Sequence, residues 1–290
     1  MHVEECCQAI LHYILPNIDK SRKGFCIDIG VGTFALYCEL FARNCFETVA
    51  VEPLPTQAVI KICDSLGINL IKSCVYDHDG TQTMYTGTYN GSENLNLSSI
   101  RSDWWGSSPD SIQVRSMTLN TLMKTINAQS ITCLKLDVEG VESIIIKQLQ
   151  QIKISLLPAV VMFEYGGGSS KQDGKAGWSE SCINETLSCF QMLKELNYRT
   201  TVVIDSLPNS KEQIIDISEV NLLPDILFYP ESIYGNAICF RENISDVTWI
   251  ENICSLYRDN NIQPPRPLPE LDKSSFFATR FRRMIRKYCK

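Results

Sequence analysis

Histidine is scarce in this chain: only His2, His12 and His78 occur in 290 residues. A catalytic mechanism built on a histidine cluster is therefore excluded, and a bound metal would need oxygen ligands. The 13 cysteines include no C-x-x-C pair and are odd in number. That excludes the regular framework of a small disulfide scaffold and offers no clustered zinc ligands. Reduced, mostly buried thiols and no metal centre are expected. No apolar run approaches the length that spans a bilayer. The first residues, MHVEECCQAILHYILPN, carry Glu4 and Glu5 where an export signal carries positive charge, so a cytoplasmic protein is expected and the four N-x-S/T sequons read as chance matches. Acidic residues are missing altogether from Lys273 to Lys290, which holds seven basic ones. With a total charge of -6, the first 272 residues carry -13, a body that repels a nucleic-acid backbone.

What is present is an alternation. Hydrophobic residues make up 44% of the chain, enough for one substantial domain. Apolar runs at 24–30, 48–52, 68–75, 131–137 and 158–164 read as strands, with helical spacing over 34–43, 55–66 and 141–150. The runs show little in/out alternation, as expected of parallel strands covered on both faces. A helix over 179–196 follows, then strands at 198–205 and 225–230 that suit an antiparallel edge. The fold class expected is α/β and Rossmann-like, a mostly parallel seven-stranded sheet with helices on both faces. Residues 1–22 form an amphipathic helix outside the core, 23–235 the main domain, and 236–290 an extension with a proline-rich linker at 263–269 and a basic helix. The stretch 76–117 breaks the rhythm and reads as an insertion at about 78–117, rich in Asn, Ser and Gly. A second loop covers 165–178.

Two strand ends carry the chemistry. The first strand runs into Asp28-Ile29-Gly30-Val31-Gly32, and the second ends Val51-Glu52-Pro53. In a Rossmann-like sheet these lie side by side at the ligand crevice. The glycines let backbone approach a cofactor, and Glu52 can accept bonds from ribose hydroxyls. Gly30-Val-Gly32-Thr-Phe-Ala35 also fits the dinucleotide pattern, so a nicotinamide-dependent oxidoreductase stands as an alternative. Asp28 weighs against it, because a carboxylate beside a pyrophosphate is unfavourable whereas a sulfonium and an ammonium favour one. The second constellation is Lys135-Leu-Asp137-Val-Glu139. Asp137 ends a buried strand, Glu139 opens the next helix, and Lys135 needs an acidic partner, Asp137 or Glu164.

The segments CIDIGVGTFALY, TVAVEPLP, SCVYDHDGTQTMY, VRSMTLNTLM, CLKLDVEGVESIII and VVMFEY resemble, in order and spacing, the FkbM family of methyltransferases over about residues 24–165. The resemblance implies a class I methyltransferase fold and S-adenosylmethionine as donor, held by Asp28, Gly30, Gly32, Glu52, Pro53, Tyr76 and Asp137. It also implies O-methylation of sugars, polyketides or similar hydroxylated compounds. Asp137 is the first candidate for the base, Glu139 the second, with Lys135 beside them. Glu164, Trp104, Trp105 and Trp178 are candidates for the hydroxylated acceptor. The chain departs from the family at Phe34, where a third glycine is usual, and at Thr118-Leu119-Asn120, where the family has Thr-Leu-Asp. The end of the strand at 131–137 reads Asp137-Val138-Glu139-Gly140 and lacks the segment of adenine methyltransferases, and no proline precedes a cysteine as in cytosine C5 enzymes. A catalytically silent interaction protein is the non-enzymatic alternative. The basic helix through Arg280–Lys290 is expected to dock either on an anionic membrane or on the protein's own acidic surface.

Overall fold

The computed structural model describes residues 1–166, 179–259 and 264–265. Trp178, most of the proline-rich linker and the basic helix lie outside these residues. In chain order the elements are α1 (Val3–Ile18), β1 (Phe25–Ile29), α2 (Leu36–Arg43), β2 (Glu47–Val51), α3 (Gln57–Leu66), β3 (Asn69–Ile71), β4 (Cys74–Val75), β5 (Gly80–Tyr89), β6 (Ser92–Glu93) and β7 (Ser107–Met117). Then follow α4 (Leu119–Thr125), β8 (Ile131–Leu136), α5 (Glu142–Gln148), β9 (Val160–Gly166), α6 (Glu180–Glu195), β10 (Thr200–Asp205), β11 (Gln213–Asp216), α7 (Pro224–Leu227), β12 (Tyr234–Phe240) and α8 (Thr248–Ser255).

Local chemistry explains the helix boundaries. The Thr56 side chain accepts from the Val59 amide at the start of α3, and Gly67 ends that helix in the left-handed conformation. Ser179 caps α6 in the same way, through the Cys182 amide. The strands β1, β2, β8 and β9 are buried almost throughout, as their unbroken apolar sequences require.

The main sheet is eight-stranded and mixed, in the order β11-β10-β12-β9-β8-β1-β2-β3. This corrects the expectation of a mostly parallel seven-stranded sheet. Strands β9, β8, β1, β2 and β3 are parallel neighbours, and β12, β10 and β11 add antiparallel pairings at one side. The strand expected at 225–230 is instead the short helix α7. Pro224 suits its first turn, where no backbone N–H is needed. The strand itself is β12, so the domain boundary drawn at 235 falls inside the sheet. A Cβ on Gly235 would collide with the Ile204 carbonyl and stand 2.5 Å from Tyr165 Oη, so only glycine lets β12 slot in here.

Two further expectations change. The run 68–75 is split at Lys72-Ser73: β3 joins the main sheet, while β4 pairs with β7 in a second sheet of order β4-β7-β5-β6. The inserted region is thus a small sheet, with β5, β6 and β7 antiparallel and β4 joined to β7 in parallel. And α1 is not an outlying helix. Cys6, Cys7, Ile10, Leu11 and Leu15 are buried with α2, α8 and one face of the main sheet. The opposite face packs against α4, α5 and α6. Among the described residues no helix is long and apolar enough to cross a membrane.

Candidate active site

The C-terminal ends of β1, β2, β8 and β9 open into a cavity of about 270 Å³. The second sheet covers it from above with Met84, Leu95, Asn96 and Ile100. Of the residues expected to hold a donor, Asp28, Gly30, Gly32, Glu52, Pro53 and Asp137 line this cavity, together with Lys135, Glu139 and Glu164.

The glycine turn is fixed by close contacts. Gly30 has φ +79° and donates to the Val51 carbonyl. A Cβ there would collide with the Asp137 carbonyl, so this position tolerates glycine alone. A Cβ on Gly32 would lie 2.7 Å from Asn96 Oδ1, the same atom that accepts from the Thr33 amide at 2.8 Å. Asn96, in the turn between β6 and β7, therefore clamps the glycine turn. The position where the family has a third glycine is Phe34, 64% exposed at the cavity rim. The helix start is met there by Ala35 in the left-handed region.

At the β2 end, Glu52 accepts from the Gly32 amide (3.1 Å) and the Leu54 amide (2.9 Å). Burial raises its pKa, and these two amides counter the effect.

At the β8 end, Lys135 is buried and its Nζ meets three acceptors: Gly30 O at 3.0 Å, Asp28 Oδ1 at 3.1 Å and Asp137 Oδ2 at 3.2 Å. The ring of Tyr37 lies 5.2 Å away. Burial alone would lower the lysine's pKa, but Asp137 and Asp28 outweigh it and raise the value. The two aspartates differ in exposure. The Asp28 side chain is 1% exposed and also accepts from Cys38 Sγ, whereas that of Asp137 is 34% exposed and reaches the cavity. Asp28, the residue expected to meet a cationic donor, is thus engaged inside the protein.

Glu139 and Glu164 complete the acidic wall. Oxygens of Asp137, Glu139 and Glu164 all lie within 4.8 Å of one another, a spacing that a hard cation with oxygen ligands could bridge. The sequence offered no such ligand set, because the three residues belong to two separate segments. Burial and the neighbouring Asp137 raise Glu139 and Glu164 well above the ordinary glutamate value. Burial also pushes Glu142 up to about 7, although it accepts from the Val138 and Gly140 amides.

The aromatic candidates lie elsewhere. Trp104 is buried and donates from Nε1 to Glu139 Oε2 at 2.6 Å. It faces a second, smaller cavity behind Glu139, lined also by Glu142, Glu164 and Cys189. Trp105 packs edge-on against Tyr89 in the inserted sheet and does not line the main cavity. Tyr76 is also absent from the cavity wall. Its carbonyl accepts from Gln148, and its ring stands against His78. Asn120, where the family has aspartate, is exposed on the first turn of α4 and outside the cavity. The lining residues that were not anticipated include Glu4, Tyr37 and Asn96. For Glu4 a signal existed, since it falls on the buried stripe of Cys7, Gln8, Leu11 and Leu15 at helical spacing.

A mixed α/β sheet with an acidic crevice at its strand ends, beneath a glycine turn, is the architecture of a methyltransferase-like fold. The family model for the methyltransferase FkbM domain matches residues 23–200, and the chain belongs to the FkbM methyltransferase family. A search of curated proteins returned no match.

Proposed function

We propose that this protein transfers a methyl group from S-adenosylmethionine to a hydroxyl of a glycan, polyketide or similar small molecule. The observation that carries the reading is the charge of the cavity. Among the described residues six carboxyl side chains line it, and Lys135 is the one basic residue. That lysine is already engaged by three acceptors. Such a cavity attracts a ligand with a sulfonium and an ammonium, and repels the pyrophosphate of a nicotinamide cofactor.

Glu52 would accept bonds from the donor's ribose, and the glycine turn would face its chain. When bound, the donor supplies a methyl group already activated on sulfur. The protein's remaining tasks are alignment and proton removal. Asp137, paired with Lys135 on one side and open to the cavity on the other, is the group suited to take the hydroxyl proton. Glu139 and Glu164, whose oxygens lie within 4.8 Å of those of Asp137, can bind neighbouring hydroxyls of the acceptor. Trp104 holds Glu139 in place from behind.

Calorimetry with S-adenosylhomocysteine and with NAD tests the donor class, and binding of NAD alone would overturn the reading. Incubation with labelled donor and a panel of hydroxylated extracts tests the transfer. Asp137→Asn should lower turnover by about two to four orders of magnitude with donor binding nearly intact. An equally active variant would remove Asp137 from the role of base.

A further inference from the structure

Glu4 stands apart from the other acids of the cavity. It comes from α1, which lies outside the span matched by the family model. Its carboxylate is held by two neutral donors: Tyr37 Oη at 2.7 Å and Asn236 Nδ2 at 2.8 Å. Each oxygen keeps a further lone pair, and the side chain lines the main cavity. Among the described residues no Lys, Arg or His forms an ion pair with it. Lys135, the basic residue of the cavity among the described residues, is hydrogen-bonded to Gly30 and Asp137 and ion-paired with Asp28 rather than with Glu4. A half-buried carboxylate bonded only by neutral donors, with Asp137 repelling it and no ion pair of its own, is costly, and a cationic ligand group beside it would relieve that cost.

The cavity also has a direction. Glu52 ends β2 on one side of the glycine turn. Glu4 lies on the other side, beyond Lys135 on β8 and against Asn236 on β12. A donor whose ribose is held at Glu52 and whose chain passes the glycine turn brings its amino-acid end toward Glu4. Asp28, which stands where such an ammonium would otherwise be met, is withdrawn beneath Lys135 and is 1% exposed.

We infer that Glu4 is the residue that binds the α-ammonium of the donor, so that the N-terminal helix is part of the donor site. This rests on the reading of the donor as S-adenosylmethionine. Tyr37 and Asn236 are then positioning residues that aim the carboxylate.

The experiment uses the full chain and two probes. S-adenosylhomocysteine carries the ammonium, and 5′-methylthioadenosine keeps adenosine and sulfur but lacks the amino-acid end. Glu4→Gln should weaken S-adenosylhomocysteine by about ten- to a hundredfold, as expected for a lost bond to a charged group, and leave 5′-methylthioadenosine unchanged. Equal affinity of wild type and variant for S-adenosylhomocysteine would overturn the inference. So would an equal loss for both probes, which would mark a purely structural role. Should Glu4→Gln fail to fold, Tyr37→Phe removes one of the two donors that aim the carboxylate, and the same selective loss is expected of it. Wild-type protein that binds neither probe would overturn the donor reading itself, an outcome distinct from failure of Glu4 alone.

Discussion

At the scale of single residues, Lys135 decides the electrostatics of the site. It sits between an aspartate that is fully enclosed and one that is open, ion-paired with both. Removing it strands the enclosed charge. Lys135→Met should therefore destabilise the fold by about 3–5 kcal/mol, the usual cost of breaking a buried pair from one side. Asp28→Asn in the same chain should recover a substantial part of that loss, because the stranded charge goes with it. Urea unfolding of wild type, single and double variants measures this, and a double variant no more stable than Lys135→Met would contradict it. The same lysine shows what a sequence can reveal. A lysine inside an apolar strand requires partners, and Asp137 could be named as one from the alternation of the strand. Asp28 as the second partner could not, because it depends on the register in which β1 and β8 pair, Asp28 opposite Lys135.

At the scale of elements, strand ends and glycine turns were readable and lateral order was not. The parallel core follows from its unbroken apolar runs. The position of β12 between β9 and β10 follows from long-range packing, and the run DILFYP imitates a strand until Pro224 starts a helical turn. Within the insertion TQTMYTGT reads as an extended segment and is most of β5, whereas β7 is largely solvent-facing and polar and shows no apolar pattern of a core strand. Asn96 was missed because its partner in the glycine turn is 63 residues away. Pairing along the sheet also explains the site's layout. Asp28, Lys135, Glu164 and Asn236 share the face covered by α1 with Met162 and Ile238, which lie level with Asp28 and Lys135, above an apolar layer of Cys26, Cys133, Val160 and Phe240. The first turn of α1 crosses this polar layer with Glu4, and its later turns cover the apolar one. The loop after β8 depends on a similar fit. Gly140 has φ +94°, and a Cβ there would stand 2.5 Å from the Trp104 ring. Gly140→Ala should cost more than about 1 kcal/mol and weaken the Trp104–Glu139 bond. Unchanged unfolding midpoint and near-ultraviolet circular dichroism would refute this.

For the whole molecule, the acidic cavity ties stability to pH. Glu4, Glu139, Glu142 and Glu164 all have raised values in the folded chain, burial being the first cause in each. Such groups bind protons more tightly folded than unfolded. The stability they contribute is present below 4.5, their unfolded value, and is lost as pH rises through the folded values, for Glu142 between 4.5 and about 7. The carboxylates lowered by partners elsewhere, such as Asp19, Asp79 and Asp216, act below 3.8 and leave this window untouched. Thermal melts should therefore show a Tm that falls from about pH 5 to about pH 8, and less steeply in Glu142→Gln. A Tm that rises over this range would refute the assignment. A cationic donor offsets the same repulsion, so its stabilising effect should grow with pH. The sheet order has a separate consequence, for synthesis of the chain. Strand β12 fills the gap between β9 and β10, yet it is made after both. Until residue 240 has left the ribosome, β9 has no neighbour on that side and the β10–β11 hairpin has nothing to dock on. A fragment ending at residue 200, where the family match ends, would keep β9 as a bare apolar edge open to pairing with other chains. The stretch that identifies the family is therefore shorter than the stretch that can fold.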